Sequence, residues 1–204
     1  MRIIKNILAL IGLLTLSGGG YALYKAGPIL SELRPSIIKF YLADLDPKFT
    51  QTYLDLAKNI LISQDPSTAM TWSVPVREGI GVDEVKDSLK SIAIDRNFLF
   101  VGEAPFYKQV ESITGQPYRH ISFLSFCDAQ VGKMMADYRD AYTGFMPCRI
   151  AVVEDKQGKL WLHTINLDLM IHGGKKLPDD LKENAIRVRD TIRAMMDGAA
   201  DGDI

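Results

Sequence analysis

Two hydrophobic periods run along this chain, and each switch between them marks the boundary of an element. Asn6–Tyr24 carries no charge and contains ILALIGLLTL. That run is just long enough for a helix of ~20 residues to cross a hydrocarbon core of ~30 Å. Ser36–Leu45 and Lys48–Ile62 read as two short helices parted by Asp46-Pro47, a natural stop and restart. In the second, Phe49, Tyr53, Leu56, Ile60 and Leu61 share one face. Such a face packs on its own domain or, in the sharper reading, on a partner protein. Met70–Arg77 alternates like a strand, and Pro75 assigns it to a sheet edge because proline has no N–H for a ladder.

Val82, Val85, Leu89 and Ile92 then mark a helix through about Ile94. Phe98–Val101 follows as a strand, Tyr107–Ile113 as a short helix, Gly115-Gln116-Pro117 as a turn and Arg119–Phe126 as the next strand. Asp128 can cap a helix whose stripe of Val131, Met135, Tyr138 and Tyr142 runs to about Tyr142. Arg149–Glu154 and Lys159–Asn166 form a hairpin through Asp155–Gly158. A final helix from about Asp179 carries Leu181, Ala185, Val188, Ile192 and Met195 on one stripe, and the small, acidic tail after Gly198 is expected to fray. Helices and strands intermix and the tight hairpin is antiparallel, so the class is α+β: an antiparallel sheet with helices packed on one side, behind an N-terminal transmembrane or signal helix. Four segments follow: 1–26, signal anchor or signal peptide; 27–66, membrane-proximal linker; 67–174, main domain; 175–204, C-terminal helix and tail.

Composition changes this picture little. With 204 residues, 47% hydrophobic and 24% charged, the chain has the makings of a folded domain with a real core. A formal net charge of -1 gives no pull toward nucleic acid, and none is expected as a partner. The short basic clusters, Lys175-Lys176 and Arg187, Arg189 and Arg193, read as solvated faces. Arg2 and Lys5 precede the uncharged run, which places the bulk of the chain outside the cytoplasmic membrane. A retained single-pass anchor, with Tyr21 and Tyr24 at the interface, competes with a signal peptide cleaved near Gly20-Tyr21-Ala22. In a bacterial cell, both put the domain in the periplasm.

The candidate chemistry centres on the two cysteines, Cys127 and Cys148, each at a junction of strand and loop. Cys127 lies beside a helix N-terminus and Arg149 directly follows Cys148, both settings that lower a thiol pKa. Structural thiols, a disulfide and a reactive, sulfur-carrying or metal-binding pair all stay open. His120, His163 and His172 with nearby methionines form a weaker soft-metal set, but no pair has helical metal-site spacing, and Met134-Met135 and Met195-Met196 read as core filler. Glu103, Glu111, Asp128 and Glu154 with His120 offer acid–base chemistry, with Asp128 better read as a cap. No phosphate loop, dinucleotide fingerprint, zinc-protease or nucleophile-elbow motif is present. The candidate thiol or ligand site is therefore Cys127, Cys148, Arg149 and His120, with no catalytic residue, metal or cofactor assigned.

From Trp72 to Met170 the wording is also familiar. GVDEVKDSLKSIAIDRNF is followed by FVGEAPFYKQVESITGQPYRHISFLSFCDAQ and, after a helix, by FMPCRIAVVEDKQGKLWL. In Pro117-Tyr118-Arg119, a strand ending in Cys127, and Met146-Pro147-Cys148, this resembles the family called domain of unknown function 302. Cys127-Asp128-Ala129 departs from the Cys-Asn-Pro that members often carry. The resemblance implies a compact α+β domain, often dimeric, and no settled reaction. The expected function is an exported, membrane-anchored, non-enzymatic binding or accessory module. It would be held to the membrane by its N-terminal helix and would dock on a protein partner or a second copy. The alternative is a thiol-based redox, sulfur-transfer or metal or ligand carrier protein using Cys127 and Cys148.

Overall fold

The computed structural model describes residues 19–21, 24–25, 27–28, 31–33 and 35–203. The chain divides into two units, Met1–Asp44 and Leu45–Ile204. In the first, residues 35–41 are helical, within one residue of where the sequence starts its first linker helix. Most of the uncharged run Asn6–Tyr24 lies outside the described residues, and among those residues no helix is long and apolar enough to cross a membrane.

The second unit opens with α1, Phe49–Ser63, and the single turn α2, Pro66–Ala69. Asp65 caps α2 by accepting from the N–H groups of Ser67 and Thr68, with Pro66 at the position where its missing N–H costs nothing. β1 (Thr71–Pro75), α3 (Val82–Asp95), β2 (Leu99–Ala104), α4 (Phe106–Thr114) and β3 (Ile121–Cys127) follow. Then come α5 (Ala129–Tyr138), a 3₁₀ turn (Asp140–Phe145), β4 (Cys148–Glu154), β5 (Leu160–Ile165), α6 (Asp168–His172) and α7 (Asp179–Asp201). The α+β class is as expected.

The strands form one antiparallel sheet in the order β1-β5-β4-β3-β2, with Pro75 on an edge strand. Registers such as Phe126↔Cys148, Leu124↔Ile150 and Val152↔Leu162 align one set of alternate residues across the sheet. That set is buried: Leu124, Phe126, Ile150, Val152 and Leu162 are closed off from solvent under Val85, Leu89 and Ala93 of α3 and Ile192, Met195 and Met196 of α7. On β1, Trp72 and Val74 pack against the same core, and the Arg193 guanidinium lies 4.6 Å from the Trp72 ring centre.

Three boundaries differ from the sequence reading. The C-terminal helix, assigned there to a separate segment, belongs to the compact unit and supplies a large share of its core. Its tail does not fray at Gly198. The helix runs on to Asp201, Ala199 and Ala200 are buried, and the Ala200 carbonyl accepts from Arg77 N at 2.9 Å. Glycine at 198 allows this, since a β-carbon there would stand 2.7 Å from Ile92 Cδ1 of α3. Finally, α5 stops at Tyr138, because Arg139 is extended (φ -165°, ψ 119°), and Tyr142 rides on the 3₁₀ turn.

Candidate functional site

At one end of the sheet, β3 runs out at Cys127 and β4 begins at Cys148, one residue out of register with each other. Asp128 starts α5 by accepting from the N–H groups of Gln130 and Val131, each at 3.0 Å, as a cap should. Arg187 of α7 closes on the same carboxylate at 2.7 Å and ties α7 to this corner. Burial works to raise the Asp128 carboxyl, but the Val131 N–H, Arg187 and the Gln130 N–H outweigh it and hold it below its ordinary range. The Met146-Pro147 peptide bond, just before Cys148, is cis.

These pieces line a half-open apolar cavity of about 80 Å³. Both cysteines line it, together with Met135 of α5, Met146 and Met170, and with Tyr142, Val131 and Leu167. Five sulfur-bearing side chains thus meet around one small space. Gly132, one turn into α5, keeps that space open. A β-carbon there would stand 3.4 Å from Met146 Sδ and 3.6 Å from Cys127 Sγ.

Both cysteines are free. Burial pushes the Cys127 thiol up, with the Asp128 carboxylate adding to it. Burial pushes Cys148 further, to about 11, with Cys127 contributing. The lowering expected from the helix N-terminus and from Arg149 does not occur. Asp128 cancels the first, occupying the orphan N–H groups and adding a negative charge beside the thiol. Strand alternation removes the second: Arg149 is exposed and lines the opposite face, with its guanidinium 5.5 Å from the Phe123 ring centre. At pH 8, alkylation of Cys148 in the folded chain should therefore run about 100-fold slower than that of an ordinary thiol and rise with pH toward 11. Rates measured at several pH values by peptide mass check this; a Cys148 that labels like free cysteine contradicts it.

His120 is not part of this site. It precedes β3, seven residues before Cys127, which at ~3.3 Å per residue puts it on the order of 20 Å away. Its Nε2 meets Ser122 Oγ at 3.0 Å, and the Tyr107 ring centre lies 4.6 Å from its own. Of the proposed acids, Glu154 accepts from His120 N, Glu103 pairs with Lys86 at 2.7 Å and Glu111 accepts from Tyr118 N. All are engaged in local structure. His163 lies on the open sheet face, stacked on Trp161 and 2.8 Å from Ser73 Oγ. There it lines a second, wider hollow of about 460 Å³ with Arg149, Phe123 and Ser125. Among the described residues no group of three or more His, Cys, Asp or Glu side chains is arranged to hold a metal ion.

One buried polar cluster has no precedent in the sequence reading. The Asp46 carboxylate, fully enclosed, accepts from Lys182 Nζ at 2.5 Å and from Lys48 N at 2.9 Å, and lies 3.0 Å from His172 Nδ1. His172 Nε2 is buried with no hydrogen-bond partner. The cluster ties the start of α1 to α6 and α7.

The protein-family model described as "Domain of unknown function DUF302" matches residues 72–199, more than half of the chain and through most of α7. Among solved structures, the chain is similar to one described as the crystal structure of an uncharacterized conserved protein DUF302 from Bacillus stearothermophilus. Identity is 17% and the TM-score 0.51, over 63% of this chain and 96% of that one, so the likeness is one of fold. No curated protein matches.

Proposed function

We propose that this chain, which belongs to the DUF302 family, is a non-enzymatic binding module whose ligand seat is the apolar cavity between Cys127 and Cys148. The observation that carries the reading is the cavity itself: about 80 Å³ of space lined by thiols, thioethers and aliphatic groups at the one place where both cysteines meet. A water needs only about 10–15 Å³ measured in this way, but also two or more polar partners, which these walls hardly offer. Such a space suits a small, soft or apolar occupant. The thiols count against nucleophilic chemistry. Both are held protonated at neutral pH, whereas a redox or sulfur-transfer nucleophile needs a depressed pKa.

The same reading keeps the module at a membrane surface, anchored through the uncharged run Asn6–Tyr24 and facing the periplasm in a bacterial cell. Beyond that run, Leu54, Leu61 and Ile62 on α1 stay exposed, apolar surface of the kind that a membrane-bound partner would cover. Intact mass of the chain purified gently in detergent tests both parts. A retained anchor leaves residues 1–22 in place. A ligand seat gives a discrete added mass under native conditions that disappears on unfolding. Identical native and unfolded masses across preparations contradict the ligand seat.

A further inference from the structure

Resting on that reading of the cavity, we infer that the seat takes a soft monovalent metal ion, Cu(I), held by the Cys127 thiolate and thioethers led by Met146. The argument starts from what converges. A single β-carbon position on Gly132 lies within 3.6 Å of both Cys127 Sγ and Met146 Sδ, so the two sulfurs border the same small space. Cys148, Met135 and Met170 line the rest of it. Sulfur is thus the donor this wall offers. The one carboxylate at its edge, Asp128, is occupied by two backbone N–H groups and Arg187.

Donor type then selects the ion. Thioethers favour Cu(I); Zn²⁺ also takes thiolates, but with three or four His, Cys, Asp or Glu ligands, and among the described residues no group of three or more such side chains is arranged to hold a metal ion. Charge makes the same choice. A monovalent cation on one thiolate is neutral overall and fits an apolar wall; a divalent ion on that thiolate would leave a net charge, costly to bury. Binding is an exchange without electron transfer: the Cys127 S–H bond breaks, an S–Cu bond forms, the proton leaves to solvent and copper stays Cu(I). Met195 and Met196, fully buried in the core, are packing residues. Met135, Met146 and Met170 are set apart from them because they line a space.

The test is an anaerobic titration of the full chain, purified in detergent, with Cu(I) as its acetonitrile complex and in parallel with Zn²⁺. Native mass spectrometry reads stoichiometry, and competition with a Cu(I) chelator reads affinity. The expected result is one Cu(I) per chain and no retained zinc, with binding lost in Cys127→Ser. The decisive variant is Met146→Leu, a volume-conserving change that leaves both thiols in place and is tolerated by packed sites. It should weaken Cu(I) at least tenfold. An affinity within twofold of wild type in Met146→Leu, zinc held as tightly as copper, or several copper ions per chain overturns the inference. A native chain that carries an organic added mass while failing to take Cu(I) overturns the metal but leaves the ligand seat standing. A chain with neither loses both.

Discussion

Replacing Asp46 with alanine is expected to destabilise the fold by about 3 kcal/mol, the scale for removing one partner from a buried charged cluster. The carboxylate is fully enclosed and gathers Lys182, His172 and the Lys48 N–H. Alanine would leave the Lys182 ammonium, only 19% exposed, without its counter-charge. It would also leave both ring nitrogens of His172 without a partner, since Nε2 already has none. Urea unfolding of the two chains measures the loss, and a difference under about 1 kcal/mol contradicts the account. Acid should erase the advantage in a definite direction. Burial works to raise the Asp46 carboxyl, yet the bonds from Lys182, Lys48 and His172 prevail and hold it below its usual 3.8. A carboxyl with a lowered folded pKa contributes its full stabilisation above the unfolded value, and that contribution drains away as pH falls through the folded one. The gap between wild type and Asp46→Asn should therefore narrow as the pH falls below about 4.

Ile192→Ala should cost about 2–5 kcal/mol. Ile192 is fully buried on α7, in the same core as Leu89 of α3 and Leu124 and Ile150 of the sheet. Truncation removes three carbons from a packed layer that has little freedom to collapse, because α3 and α7 already approach closely enough that a β-carbon at 198 would displace the tip of Ile92. This measurement separates an integral helix from an appended one. If α7 were a terminal ornament, the cost would be a few tenths of a kcal/mol, confined to local fraying. A single cooperative transition displaced by the full amount places α7 inside the folding unit.

What the sequence made legible follows from the range of its signals. Period and punctuation are local, and they place β1 on an edge through Pro75, cap α5 at Asp128 and join β4 to β5 through Asp155–Gly158. They fail where a local pattern outlives the element that wears it. The stripe through Tyr142 continues past the end of α5 because the 3₁₀ turn brings Tyr142 back beside Tyr138, with ring centres 6.2 Å apart. The Ala-Gly-Asp tail looks frayed by composition, yet Ala199 and Ala200 are buried, because small residues let two helices close. The cluster of Asp46, His172 and Lys182 joins positions 126 and 136 residues apart, and nothing near Asp46 announces it.

The candidate site divides along the same line. The sequence put each cysteine at a strand end, but only the assembled fold brings the two to one cavity. That Arg149 faces away was also readable, from strand alternation, and is the signal the sequence reading passed over. The gathering of Met135, Met146 and Met170 around the thiols was not, because it needs α5, the Met146-Pro147 turn and the segment after β5 to be assembled first. Nor was the role of Gly132, a residue that ordinarily weakens a helix by up to about 1 kcal/mol relative to alanine.

Gly132→Ala consequently provides the most direct test of the ligand seat. The new methyl group finds ordinary van der Waals distances, 3.4 Å to Met146 Sδ and 3.6 Å to Cys127 Sγ, so the fold should accept it and gain about 0.5–1 kcal/mol from helix propensity. That methyl group also occupies the gap where a ligand would sit. Intact native mass of the two chains, purified side by side, decides the matter. The account predicts an added mass on the wild type that is lost from a Gly132→Ala chain at least as stable. An added mass carried equally by both would place the bound species elsewhere and contradict it.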